Sequence, residues 1–285
     1  MKEPVSPPIT AAAGAEVASL RPVAGGSICR AWQAVLADGR TVFAKTRAGA
    51  PADFFSSEAA GLQWLAEART VAVPEVIGVA ADVLVLPWIE PGSPTRAAAQ
   101  ALGRDLAALH QAGAPSFGAG WPGYLGILPL DNTPNGSWPD FYFRQRIQPY
   151  VRMARDSGEF SADDVAVFDR LRARIDRIAG PEEPPARLHG DLWNGNVLWG
   201  ADGSARLIDP AAHGGHREND LAMLELFGAP YLSDIRAAYA EVFPLTDGWE
   251  DRISLHQLQP LLVHTVHFGG GYAAQALAAA RAYLS

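Results

Sequence analysis

Apolar residues recur at two different periods along this chain. In "SICRAWQAVLADGRTVFAKT" (27–46), β-branched and aromatic residues flank Asp38-Gly39, a pair suited to a tight hairpin turn, and two strands are predicted. "DFFSSEAAGLQWLAEA" (53–68) places Phe54, Ala59, Leu62 and Leu65 on one side of a helical period, with Asp53 a candidate N-cap. "PEVIGVA" and "VLVLPWIE" read as two more strands, so the order up to about Glu90 is β-β-α-β-β.

"IEPGSPT" has the composition of a connection, with Ser93 or Thr95 able to cap the helix after it. The segments "RAAAQALGRDLAALHQA", "WPDFYFRQRIQPYVRMARDSG" and "ADDVAVFDRLRARIDRIAG" then carry helical periodicity. After two short strands in "RLHGDLWNGNVLWGADGSARLIDPA" (187–211), "ENDLAMLELFG", "LSDIRAAYAEVF", "WEDRISLHQLQPLLVHTVHF" and the last segment return to helix, the last one beyond a glycine break. The prediction is an α+β, two-lobed protein: residues 1–90 a small β-rich lobe with one helix, and residues 91–285 a larger, mainly helical lobe.

Composition narrows what such a protein does. At 285 residues, 48% hydrophobic and 19% charged, the chain folds rather than staying disordered. A net charge of -8 argues against a nucleic-acid partner, which requires a basic face. Its one cysteine, Cys29, cannot close an internal disulfide, and the seven histidines lack zinc spacing. "LLVHTVHFGGGYAAQALAAARAYL" has too many polar residues and glycines for a membrane span, and the first residues lack the apolar run of a signal peptide. A cytoplasmic protein, monomeric or weakly dimeric, is expected.

The densest chemistry lies in 187–211. Asp191 and Asn196 form D-x-x-x-x-N, and Asp209 ends the strand "ARLI". Asp and Asn are also ordinary turn residues, but a carboxylate closing an apolar strand has no local use as a turn and needs a partner. The trio suits a nucleoside triphosphate: Asp191 accepts the proton of an attacking hydroxyl, while Asn196 and Asp209 hold Mg²⁺ against the phosphates. The front lobe adds Gly25, Gly26 and Ser27 as a candidate phosphate loop, Lys45 late in a strand and Glu58 on the following helix, a pairing that orders a kinase nucleotide site.

With these residues in hand, the chain resembles the fructosamine kinase (ketosamine-3-kinase) family of the protein-kinase-like superfamily, which includes aminoglycoside phosphotransferases and choline kinases. The resemblance rests on "LHGDLWNGN", "LIDPAAHGGHRENDLAM", "WPDFYFRQR" and "LHQLQPLLVHTVHFGGGY" and runs from about Gly25 to about Tyr283. It implies ATP-dependent, Mg²⁺-assisted phosphorylation of the 3-hydroxyl of a ketoamine, a small-molecule glycated amine. It further implies adenine against the backbone of Pro87, Trp88 and Ile89, where the family usually has an acidic residue at the position of Pro87. His213 also departs from the family, which more often has an aromatic ring there. An aminoglycoside- or choline-type phosphotransferase would share the catalytic residues and differ in the acceptor pocket, and a non-catalytic nucleotide-binding protein is the remaining alternative.

Trp193, beside Asp191, is expected to pack against substrate, and His216, Arg217 and Glu218 to border it. Trp138, Phe141 and Arg146 read as wall, His189 as a brace, and Asp220 as a partner of the catalytic-loop backbone. Cys29 reads as a small buried hydrophobe, with an oxidisable thiol as the alternative.

Overall fold

Strand alternation decides how the front of the molecule is packed. The computed structural model describes residues 5–24 and 28–284. Helix α1 (Ser6–Ala13) precedes five antiparallel strands, β1 (Val17–Val23), β2 (Arg30–Leu36), β3 (Thr41–Thr46), β4 (Gly78–Ala80) and β5 (Val83–Pro87), in the order β1-β2-β3-β5-β4. Helix α2 (Phe54–Glu67) lies between β3 and β4 in sequence. Because successive side chains point to opposite faces, Val42 and Ala44 pack with Ile9 of α1, Val83 and Val85. Phe43, Leu84 and Leu86 point the other way, onto Phe54, Phe55 and Leu62 of α2. Lys45 shares the α2 face with Phe43, and this turns it toward Glu58.

The predicted hairpin and α2 are present. Helix α1 and strand β1 were not expected; Pro7 and Pro8 stand in the first turn of α1, where a missing amide costs nothing. Asp53 holds the N-cap position of α2 without capping it by its side chain. That carboxylate instead accepts a hydrogen bond from Tyr124 Oη at 2.5 Å.

The rear is mainly helical. Thr95 caps α3 (Arg96–Gln111), its Oγ1 accepting from the Ala98 amide at 3.2 Å. A hairpin of β6 (Gly123–Leu125) and β7 (Leu128–Leu130) follows. Then α4 (Trp138–Phe141) widens into a π-helical turn (Tyr142–Ile147) that leads into α5 (Gln148–Asp156), and α6 (Ala162–Arg172) and α7 (Ile175–Ile178) replace the single helix predicted there. Strand β8 (Ala186–Leu188) pairs with β11 (His213–Gly215), enclosing the hairpin of β9 (Val197–Trp199) and β10 (Ala205–Leu207). Helices α8 (Glu218–Phe227), α9 (Leu232–Val242), α10 (Trp249–His256), α11 (Leu258–Phe268) and α12 (Gly271–Arg281) complete the chain.

The long helix predicted over 249–268 breaks between α10 and α11. Pro260 has no amide to offer the carbonyl of His256, and the Tyr142 hydroxyl donates to that oxygen at 3.0 Å and to Leu255 O at 2.7 Å. Front and rear are stitched at the connection: Ala201 N donates to Glu90 O (2.8 Å) and Gly92 N to Trp199 O (2.7 Å), fastening it to the β9–β10 hairpin.

Candidate active site

The face of β3 that packs on α2 delivers Lys45 Nζ to 2.7 Å from Glu58 Oε2 and 2.6 Å from Asp209 Oδ1. Asp209 follows β10 with a left-handed backbone, φ 55°, and Pro210 comes next. Non-glycine residues pay for that conformation, and here it turns the carboxylate toward the β3 lysine.

The segment between β8 and β9 carries Asp191 and is held from below. Asp220, buried at the start of α8, accepts the amides of His189 (2.8 Å) and Gly190 (2.9 Å). His189 donates from Nε2 to Ile208 O at 2.9 Å and accepts the Asp191 amide at Nδ1, which fixes one neutral tautomer; burial keeps its pKa down. Gly190 has φ 82°, and a Cβ there would lie 2.2 Å from Ala211 O. His189 and Asp220 are thus the brace and backbone partner that the sequence suggested.

Asn196 Nδ2 donates to Asp191 O (2.8 Å) and Asp191 Oδ2 (3.0 Å). Two acceptors around one end of the amide identify that end as nitrogen, so Oδ1 is the end directed away from Asp191. Burial and the Asp209 charge push the Asp191 carboxyl up to about 7. Burial works in the same sense on Glu58. For Asp209 it is outweighed by Lys45, which holds that carboxyl below its usual range.

These groups lie on a cavity of ≈ 1220 Å³ between the front sheet and the rear helices. Lys45, Glu58, Asp191, Asn196 and Asp209 all line it, as do Pro87, Trp88 and Ile89. Trp193 lines it too, 41% exposed, its indole folded over Gly195 so closely that a Cβ there would sit 2.2 Å from the ring. Gly25, Gly26 and Ser27 lie outside the described residues; Ala24 and Ile28, on either side, line the cavity. Cys29 is half-buried in the wall, and burial raises its thiol pKa. Arg146, wholly buried, donates to Asp131 O (2.5 Å) and Asn132 Oδ1 (2.7 Å) behind the wall.

His216, Arg217 and Glu218 do not border the cavity as predicted. They are buried behind it: Arg217 forms a two-pronged pair with Glu183 (2.7 and 2.8 Å), and Glu218 one with Arg252 (2.6 and 2.9 Å). His216, Glu218 and His256 offer ligand atoms within 4.8 Å of one another, but the Arg252 guanidinium already occupies both Glu218 oxygens. Lining the cavity instead are His213, Asn219, His256, Gln259, His264 and His267. The available signal was a stripe on α11: Pro260, Val263, His264 and His267 recur at helical spacing, and two of them are histidines in an otherwise apolar run.

The family model for fructosamine kinase matches residues 1–285. The chain belongs to the fructosamine kinase family. Members of this family are ATP-dependent phosphotransferases. Among curated fructosamine kinase relatives, a "Probable ketoamine kinase" of Thermus thermophilus is 37% identical over 257 residues, covering 88% of each chain. Another so named, from Enterococcus faecium, is 33% identical over 261 residues, 89% of this chain and 91% of that one. A candidate fructosamine-3-kinase structure from Thermobifida fusca YX-ER1 superposes with a TM-score of 0.93 at 49% identity, covering 98% of each chain. The choline kinase LicA from Streptococcus pneumoniae shares the fold alone, with a TM-score of 0.66 at 14% identity and coverage of 98% and 97%. The α+β protein-kinase-like architecture read from the sequence is therefore the observed one, and no helix among the described residues is long and apolar enough to cross a membrane.

Proposed function

We propose that this protein phosphorylates the 3-hydroxyl of a small-molecule ketoamine, such as a fructosamine or ribulosamine, with ATP as donor. The observation that carries the reading is the convergence of Lys45, Glu58, Asp191, Asn196 and Asp209 on one cavity that also holds an open wall of rings and amides. Adenine lies against the connection at Pro87–Ile89, which the cavity reaches, and the division between lobes falls at Glu90. Lys45, fixed by Glu58, binds the α- and β-phosphates.

The acceptor hydroxyl lies at Asp191. Its oxygen attacks the γ-phosphorus, its proton passes to the Asp191 carboxylate, and the bond to the β-phosphate oxygen breaks to release ADP. The donors present suit a hard cation: the half-exposed Asp209 carboxylate and the Asn196 Oδ1 that its own amide hydrogen bonds direct away from Asp191. Mg²⁺ held by these two would neutralise charge on the phosphates. Gln259 is buried in the cavity wall with an amide nitrogen that has no partner among the described residues, and Asn219 is held from behind, its Oδ1 2.7 Å from His256 Nδ1. A polyol acceptor supplies the oxygen that the Gln259 donor lacks.

Asp191→Ala tests the assignment in a coupled ATP-consumption assay, with the phosphorylated carbon located by NMR. The expected loss in kcat is about 10²–10⁴-fold. A ketoamine turned over at near wild-type rate by this variant would remove Asp191 from the chemistry, and turnover of aminoglycosides or amino alcohols in preference to ketoamines would move the acceptor class.

A further inference from the structure

The far wall of the same cavity is unusual for a surface that binds only sugar and phosphate. Of the seven large hydrophobic side chains that are exposed among the described residues, three line this cavity: Trp193, Ile127 (49% exposed) and Phe268 (65%). Exposed apolar groups gathered at one mouth mark a binding surface, whereas scattered ones do not.

The rings form a continuous row that begins at the reacting centre. Trp193, two residues after Asp191, has its centroid 6.1 Å from that of Phe227. Phe227 is 5.1 Å from His264, and His264 lies 4.9 Å from Tyr272 and 5.5 Å from Phe268. Each of these five side chains lines the cavity. Across the mouth stands the tip of the β6–β7 hairpin with Ile127, tied to α11 where His267 Nε2 meets Leu125 O at 3.3 Å.

Charge is confined to the opposite end. Apart from the histidines His213, His256, His264 and His267, the acidic and basic side chains among the described lining residues are Lys45, Glu58, Asp191, Asp209 and Asp220, all of them in the phosphate and catalytic-loop machinery. Along the ring row, burial lowers the His264 pKa and its Nδ1 is turned to Pro260 O, so it contributes a neutral ring. Glu159, the acid near the end of α11, accepts the Gly270 amide and is not part of the wall. Lys45 is the one lysine or arginine among the described lining residues, and Glu58 and Asp209 hold it, so a carboxylate laid along this row would meet no free lysine or arginine.

We propose that the row from Trp193 to Phe268 is the subsite for the amine-derived end of the ketoamine, and that it selects apolar, ring-bearing N-substituents over charged ones. This deepens the kinase reading and rests on it. With the acceptor hydroxyl at Asp191, the sugar occupies the amide-lined part beside Asn219 and Gln259. The nitrogen substituent then leaves along the one wall that begins at Trp193.

The test compares two fructose adducts that share the sugar and the secondary amine, one made with benzylamine and one with glycine, by kcat/KM at saturating Mg·ATP. The benzylamine adduct should be favoured on the order of tenfold, the size expected for partly burying one phenyl ring. Phe268→Ala and Tyr272→Ala should each bring the ratio toward one, and the KM for ATP reports whether the nucleotide end is intact. A wild-type ratio near one, or a ratio untouched in both variants, overturns the inference while leaving the kinase reading in place. ATP consumed with neither adduct overturns both. If the row instead covers a second copy of this chain, sedimentation finds a dimer that Phe268→Ala dissociates while the ratio stays unchanged, and the proposal fails.

Discussion

Asp209 has a side chain that takes part in an ion pair and a backbone angle that L-residues avoid, and the two facts explain each other. With φ at 55°, Asp209, two residues beyond β10, presents Oδ1 to Lys45. Asparagine tolerates the same left-handed conformation, so Asp209→Asn keeps the turn while deleting the charge. We expect kcat to fall about 10²–10³-fold, as when a preorganised electrostatic group is removed, with the Mg²⁺ titration displaced to higher concentration. An unchanged Mg²⁺ titration would take Asp209 out of the proposed metal site. At this scale the sequence was informative, since Lys45, Glu58, Asp191, Asn196 and Asp209 are recognisable by type and order alone. What it did not carry was conformation: neither the angle at Asp209 nor the fold of Trp193 over Gly195 is written in residue types.

Helices α8 and α10 show why the charged run at 216–218 misled. A dense charged cluster after a catalytic loop reads as a substrate border, but its partners lie far off in sequence: Arg217 and Glu183 are 34 residues apart, as are Glu218 and Arg252. Long-range pairing of this kind has no local signature, whereas the hairpin at Asp38-Gly39 and the cap at Thr95 do. The pair that joins α8 to α10 has a consequence in acid. Burial alone would raise the Glu218 carboxyl, but the paired Arg252 guanidinium, with the His256 ring 3.1 Å away, prevails and brings it from 4.5 down to about 2. A carboxylate depressed in this way contributes stability that is fully present above pH 4.5 and is lost as the pH falls through about 2. Glu218→Gln, which strands the Arg252 guanidinium, should cost about 3–5 kcal/mol at neutral pH. In urea unfolding, the gap between variant and wild type should narrow steadily below pH 4.5. A gap constant from pH 7 to about 3 would mean that Glu218 acts through packing and not through its charge.

Across the whole molecule, the front sheet and the rear helices meet at a few defined ties. The connection is sewn to the β9–β10 hairpin through Glu90 and Gly92, and that same hairpin ends in Asp209, whose carboxylate reaches forward to Lys45 on β3. Lobe position and site geometry are therefore coupled through one strand pair. The two-part architecture was legible because strand and helix periods differ; the depth of the cavity and the ring row along α11 were not, because both arise from which faces meet. A ligand bridging Lys45 and Asp209 should stabilise the assembled molecule by mass action, about 2.7 kcal/mol at one hundred times its Kd. That corresponds to a rise in Tm of about 5 °C or more for a protein in this size range. Mg·ATP should produce this shift in the wild type, with ATP in EDTA giving a smaller one. Lys45→Met leaves Glu58 and Asp209 without their shared cation and starts from a lower Tm, so the informative quantity is the ligand-induced shift, which should fall to near zero. A full shift in Lys45→Met would show that the nucleotide binds without the β3 lysine and that the tie between the two lobes is not the phosphate site.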